Sequence, residues 1–467
     1  MTGTALPATG GPADHGGPER PQRATEMRFD PPVVHKESLG TGLSVWLVER
    51  PDLPLNWLRL VLGSGADTDP AGKAGTASLT ADVLDAGTPA MDALQISSRL
   101  QHLGSSMRTS AGHDGSSVTM TSLTRNFDET ARVLGAVLTE AIFPEREFDR
   151  LKRQRITSII QGKDDPGLVA SAAFHRLVYG EHHPYGTDAG GTESSVKGIM
   201  RDDLLEFYRT RYRPNTGTVI AVGNFRINDL RQRIGPLLSR WTAAEAPVPR
   251  HHSRPATARI VAMLNRPGAP QSEIRLGMAG PPRSSRDFFP LVIMNRILGG
   301  QFSSRLNANL RERRGFTYGA RSSFGFGKYG GPFLASAAVN THNTGEALRE
   351  IAGEIERMRD GGITDEELQS ARDGMIGGFA LAFESPSQVG ALLHTMVLYG
   401  LAEDYIATYV RRVQQVTREE IHRVARDYLD LPSMAIVVLG DVKALRLQME
   451  SAGLGEVREV TAEELGI

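Results

Sequence analysis

The chain has 467 residues, with 53 Lys and Arg against 54 Asp and Glu and a formal net charge of −1. A balance this even gives no electrostatic reason to expect a nucleic-acid or membrane-surface partner. Cysteine is absent, which excludes disulfides and thiolate metal sites and fits either a cytoplasmic or a periplasmic setting.

Residues 1–27 are rich in Gly, Pro, Ala and Thr and read as a disordered tail. They contain no apolar stretch of roughly 7–15 residues, as a secretory signal would. No apolar run reaches the ~20 residues needed to span a bilayer. The expectation is therefore a cytoplasmic protein, or a periplasmic one if a signal was removed ahead of this numbering.

The first predicted strands are 43–48 and 55–62, followed by helices over 73–86 and 92–103. A strand pair follows at 106–111 and 116–123, then helices over 126–142 and 145–163. A late strand at 216–222 and a helix from Asn228 close this unit. A second unit repeats the order: a strand at 274–278, helices over 284–298 and 303–313, and strands at 316–324 and 333–339. It continues with helices over 343–359 and 365–383 and a late strand at 434–439. Local echoes support a duplication. SSRLQHLG (97–104) recurs within SSRLNANLRERRG (303–315), and TVIAVGNF (218–225) recurs as MAIVVLGDV (434–442).

Strands and helices in this order indicate an α+β fold of two homologous domains, each a mainly antiparallel sheet covered by helices. The boundaries fall at 28–242 for the first domain and 258–467 for the second. The Pro-, Ala- and His-rich stretch 243–257 between them reads as an exposed linker.

The segment 63–89, GSGADTDPAGKAGTASLTADVLDAGTP, carries the most specific pattern. Its frame resembles the zinc-binding helix of the pitrilysin/insulinase metallopeptidases, the inverzincins, in which a P-x-G-K-x-G turn leads into G-x-A-H-x-x-E-H-x-L-x-x-G-T. In this chain Ser78 and Asp82 stand where that family has its two histidines, and Ala81 stands where it has its glutamate. Two His at i and i+4 share one helix face and can hold Zn²⁺, while the Glu polarises the bound water. Ser78 is a poor zinc ligand, Ala81 cannot act as a base, and Asp82 offers a single carboxylate. The family's third ligand is a downstream Glu, which the resemblance places near Thr157 and Ser158. No Glu occurs between Glu147 and Glu181.

A second segment, Asn309-Leu-Arg311-Glu-Arg-Arg-Gly315-Phe-Thr-Tyr318-Gly319, is similar to the family's L-R-x-x-x-G-x-x-Y segment. It reads as a helix end with Arg311 in the last turns, a left-handed Gly315 cap, and Tyr318 on the following strand. The resemblance implies that Arg311 and Tyr318 bind substrate carbonyls and assist a developing oxyanion. Aligning Gly104 with Gly315 sets Leu100 opposite Arg311 and Met107 opposite Tyr318, so the repeated unit does not itself demand a polar pair there. The competing reading is a surface charge and a half-buried strand aromatic.

Other suggestive residues are given structural readings. His182-His183-Pro184-Tyr185 reads as a turn, since adjacent histidines without an i+4 partner make a weak zinc site. His102, His113, His251 and His252 have no fixed ligand spacing, and no H-E-x-x-H or H-x-x-E-H occurs. The glycine-rich stretch 324–332 lacks the ending of a phosphate loop and reads as a hairpin, with a flexible lip over a substrate chamber as the minority reading. Asp164-Asp165-Pro166 reads as a helix stop and restart.

The resemblance implies a non-catalytic, substrate-binding subunit of a heterodimeric zinc metallopeptidase that acts on peptides or unfolded segments. Such a subunit is inactive alone, holds no metal itself, and completes the endopeptidase with a homologous H-x-x-E-H-bearing partner that contributes the zinc. The family's mode of substrate binding implies strand addition at a sheet edge. The rival reading is a purely structural, scaffold or peptide-binding subunit of a larger complex. A self-sufficient hydrolase has no support, since there is no G-x-S-x-G elbow and no cysteine.

Overall fold

Each half of the chain folds around its own six-stranded sheet. The computed structural model describes residues 31–39, 42–244 and 259–467. The 1–27 tail and nearly all of the 243–257 linker lie outside the described residues. The first sheet contains β1 (His35–Ser38), β2 (Ser44–Glu49), β3 (Leu55–Leu62), β4 (Ser106–Ala111), β5 (Ser116–Leu123) and β6 (Gly217–Gly223). The second contains β7 (Ile260–Asn265), β8 (Gln271–Ala279), β9 (Ala320–Phe324), β10 (Pro332–Asn340), β11 (Ala435–Gly440) and β12 (Val457–Glu459).

The spatial orders are β1-β2-β6-β3-β5-β4 and β12-β7-β11-β8-β10-β9. Five strands correspond one to one, β4-β5-β3-β6-β2 with β9-β10-β8-β11-β7. Neighbours run antiparallel except β2 with β6, and β7 with β11 and β12. This is the α+β architecture of paired, mainly antiparallel sheets expected from the sequence.

The central strands explain why both faces need covering. Every residue of β11, Ala-Ile-Val-Val-Leu-Gly, is buried, and β6 is nearly so. A strand with no polar face must be enclosed on both sides. On one side of the first sheet, Leu58, Leu60, Leu62, Val118 and Met120 pack against Leu79, Val83, Leu134 and Val137 of the flanking helices. Burying such side chains stabilises the fold by about 1.5–3 kcal/mol each.

The opposite face of each sheet is covered by a helix from the other half. The helix Pro166–Tyr179, ahead of β6 in the chain, packs Ala170, Ala173, Phe174 and Val178 against Ala262, Val437 and Leu439 of the second sheet. Conversely, Pro386–Leu398 lies on the first sheet at β3 and β6. Its Gly390 sits so close to Trp57 that an added Cβ would come within 2.0 Å of the indole ring. The two halves are therefore interlocked through helices as well as joined by the 243–257 segment.

Several predicted elements shift. The strand expected from residue 316 starts at Ala320, because Gly315 is left-handed (φ 63°) and Thr317 Oγ1 bonds the backbone of Gly319 on both sides. Tyr318 therefore precedes β9 instead of lying on it. The helices expected at 284–298 and 303–313 start at Phe288 and Arg305, and each passes into a π-helical turn, Arg296–Gly300 and Ala308–Arg313. Strands β1, β7 and β12 and several helices after residue 200 are not anticipated by the sequence reading. No helix among the described residues is long and apolar enough to cross a membrane.

Candidate functional site

The helix of the degenerate motif spans Thr76–Leu84. Asp69 holds its start, accepting from the backbone N–H groups of Gly75 and Ala77 at 2.7 Å each. Burial pushes this carboxyl up to about 7, although the two N–H groups pull it the other way. Lys73 of the preceding turn bonds Asp203 at 2.6 Å. The turn that in the resembling family introduces a metal-binding helix is thus intact. Ser78 and Ala81 are buried in it.

Asp82 is the one motif position left with a charge, and it is already occupied. Arg155 donates Nη2–H to Asp82 Oδ2 at 2.5 Å. Arg155 lies on the helix Glu145–Gly162, just ahead of the Thr157-Ser158 positions assigned to the third ligand. Thr157 itself donates to Arg153 O. Gly190 leaves the guanidinium its room, since a Cβ there would lie 2.4 Å from Arg155 Nη1. A fixed cation therefore neutralises Asp82, and it comes from the helix expected to contribute an anion. Among the described residues, no group of three His, Cys, Asp or Glu side chains could hold a metal ion.

Arg311 lies on the π-helical turn Ala308–Arg313, a local irregularity common at functional sites. The arginines around it are tied down. Arg305 binds Glu367, Arg313 binds Glu354, and Arg314 binds Glu346 and Glu350, all on other helices. Among the described residues, Arg311 pairs only with the adjacent Glu312 at 3.4 Å, and it lies over the Phe302 ring, 4.6 Å from its centroid. Phe302 is 69% exposed and Tyr318 is 92% exposed. Arg311, Phe302 and Tyr318 are thus polar and aromatic groups that the core does not use. No hydrogen bond or ion pair among the described residues joins Arg311 or Tyr318 to the motif helix.

The remaining motifs serve the junction between the halves. The hairpin loop 325–331 is clamped to the first half, and the reading of it as a flexible lip does not hold. Lys328 N–H donates to Asp114 Oδ2 at 3.0 Å, and its Nζ donates to Gly63 O and Asp67 Oδ2 at 2.9 and 3.2 Å. Tyr329 donates to Asp67, and Tyr179 donates to Gly330 O, each at 2.9 Å. Tyr185 donates its hydroxyl to Asp114 Oδ1 at 2.5 Å. His183 takes the Tyr185 N–H on Nδ1 and packs against the Tyr179 and Tyr185 rings. The His-Pro-Tyr turn is structural, as its spacing suggested.

Comparison with known proteins agrees with this geometry. The sequence profile of the Peptidase M16 inactive domain matches residues 198–375. An uncharacterized zinc protease of Mycobacterium bovis is 26% identical over 408 residues, covering 85% of this chain and 87% of that protein. The crystal structure of a peptidase M16 inactive domain from Pseudomonas fluorescens superposes with a TM-score of 0.82 at 25% identity, covering 87% of this chain and 98% of that one. The chain is similar in sequence and in fold to proteins of the M16 peptidase family. Its motif helix carries Ser78, Ala81 and Asp82 where the resembling pattern has the ligands and the base. Among its relatives is the Helicobacter pylori non-peptidase homolog YmxG, 21% identical over 417 residues, covering 88% of this chain and 95% of that protein.

Sequence reasoning missed Arg155, which is the partner that decides the state of Asp82. A signal for it existed. The helix that lacks an acidic ligand carries Arg150, Lys152, Arg153 and Arg155, and a lone carboxylate facing it needs a counter-charge.

Proposed function

We propose that this M16-like chain is the non-catalytic, substrate-holding subunit of a heterodimeric zinc metallopeptidase acting on peptides or unfolded segments. Its homologous partner carries H-x-x-E-H and the zinc. The observation that carries the reading is the contrast within the chain. The position that the resembling family gives to metal is filled by the Asp82–Arg155 ion pair, while Tyr318 is exposed and half-buried Arg311 is tied to no other helix by an ion pair among the described residues. In the assembled enzyme Arg311 contacts a substrate carbonyl and Tyr318 donates to the oxyanion. A preorganised donor of this kind contributes about 2.7–4 kcal/mol to the transition state.

Co-expression with an H-x-x-E-H-bearing homologue followed by a peptidase assay tests this. Activity is expected only in the mixture, with kcat falling about 10²–10³-fold for Arg311→Ala and less for Tyr318→Phe. Cleavage by this chain alone, with stoichiometric zinc, would refute the reading. Full activity of the mixture with both variants would instead make the chain a scaffold.

A further inference from the structure

The two sheets carry the same row of side chains on the faces turned away from their helical cores. In the first sheet the register sets Arg108 opposite Thr119, Thr119 opposite Arg59, and Arg59 opposite Ile220. In the second it sets Arg321 opposite Ser336, Ser336 opposite Arg275, and Arg275 opposite Val437. Directly opposed residues share a face. Each row therefore runs guanidinium, hydroxyl, guanidinium, aliphatic across corresponding strands. The sequence carries the echo as MRTSAG (107–112) with ARSSFG (320–325), and LRL (58–60) with IRL (274–276).

The inner arginine of each row lies toward the helix donated by the other half. Arg275 is 8% exposed and bound by Glu273, Ser171 and the Gly167 carbonyl. Arg59 donates to Thr119 Oγ1 at 2.8 Å and stands near His394 of the Pro386–Leu398 helix. It has no carboxylate partner among the described residues. The outer arginines, Arg108 and Arg321, are exposed, and neither pairs with a carboxylate among the described residues.

The rows converge. Arg108 stands three residues before the end of β4, and Arg321 three before the end of β9. The hairpin loops that follow these strands touch, through Lys328 N–H to Asp114 Oδ2 at 3.0 Å. Strands β4 and β9 each end their sheet, so among the described residues each has one edge without a strand partner.

The charge here is one-sided. Strands β3, β4 and β5 contain no Asp or Glu, and β8, β9 and β10 contain only Glu273, bonded to Arg275 at 2.8 Å. The whole chain balances 53 basic against 54 acidic residues, so composition does not account for this.

We propose that the faces and free edges of β4 and β9 receive an extended peptide segment bearing Asp or Glu side chains. The inference rests on the substrate-holding reading above and gives it a substrate class. A strand laid on either edge sends alternate side chains to the arginine face, about 6.6–6.8 Å apart. Acidic groups there meet Arg108 or Arg321. Half-buried Arg59 lacks a counter-charge, and a carboxylate close by offsets part of its desolvation. Nucleic acid fits less well, because the chain is neutral overall and these strands offer hydroxyls and a peptide edge more than stacking platforms.

The test is fluorescence anisotropy of the intact chain with labelled 12-residue peptides matched in hydropathy but acidic, neutral or basic. The acidic peptide should bind about tenfold tighter than the neutral one, since each exposed charge pair contributes modestly, and the preference should shrink as salt is raised. Arg108→Glu with Arg321→Glu should reverse the order, whereas Arg108→Lys with Arg321→Lys should keep it. Equal binding of all three peptides overturns the acidic preference and leaves the substrate-holding reading standing. No binding of any peptide overturns both. A single-stranded oligonucleotide of equal charge binding as tightly as the acidic peptide also overturns it, in favour of a generic polyanion surface.

Discussion

The motif helix in the first half and the Arg311 segment in the second show two fates for polar residues on one duplicated scaffold. Around Asp82 the polar groups have been drawn into the fold. A cation from the neighbouring helix neutralises the carboxylate, and a loop glycine makes room for it. Around Arg311 the neighbouring arginines bind carboxylates of other helices, while Arg311 lies over an exposed phenylalanine, and Tyr318 is largely solvent-exposed. The difference is that the Asp82 carboxylate meets a counter-charge within the fold, whereas Arg311 meets only its neighbour Glu312 and an exposed ring among the described residues.

The comparison can be broken at several points. The largest effect is expected where the halves interlock. Gly390→Val drives side-chain atoms into Trp57 and should cost about 3 kcal/mol by urea denaturation, while the same change at exposed Gly378, where an added Cβ meets nothing within 4 Å, should cost far less. A separable, independently folding second half would contradict this.

Next in size is a titration in the same interface. His394 is half-buried beside Arg59, its Nδ1 has no hydrogen-bond partner among the described residues, and burial first and Arg59 second pull its pKa down to about 4. The folded state therefore favours neutral imidazole. The contribution is full above about pH 6.5 and is lost as pH falls toward 4. Relative to His394→Leu, the wild-type chain should lose on the order of 1–2 kcal/mol across that window, screening by solvent included. Parallel stability profiles for the two proteins would contradict the assignment.

Asp82→Ala and Arg155→Ala should each cost about 1 kcal/mol, with a coupling of similar size in a double-mutant cycle, because the pair is only partly buried. Zero coupling would mean the pair is incidental. The smallest effect belongs to the other pole: Arg311→Ala and Tyr318→Phe should change stability by less than about 0.5 kcal/mol. A large loss there would make those residues structural and close the contrast.

Much of the fold was legible because its signals are local. Strands β3, β4 and β5 fall at the expected positions, since alternation and apolar runs report which faces are buried. The Asp165 cap and Pro166 mark a helix restart that the structure bears out. The start of β9 was misplaced because Gly315 and the Thr317 turn hold four residues out of the sheet. The helix Pro386–Leu398 was missed because it is apolar over most of its length and its periodicity is weak, although only Val389, Gly390, Leu393 and Met396 are buried.

By itself, the sequence determined that the chain is a duplicated α+β scaffold and that Ser78, Ala81 and Asp82 cannot assemble the family's metal site, because side-chain chemistry and helix spacing are local properties. Only the tertiary structure decided that Arg155 answers Asp82, that each half roofs the other's sheet with a helix, and that Arg108 and Arg321 occupy equivalent rows. Those facts depend on which distant segments meet, and pairing between residues far apart in the chain leaves no periodic trace within it.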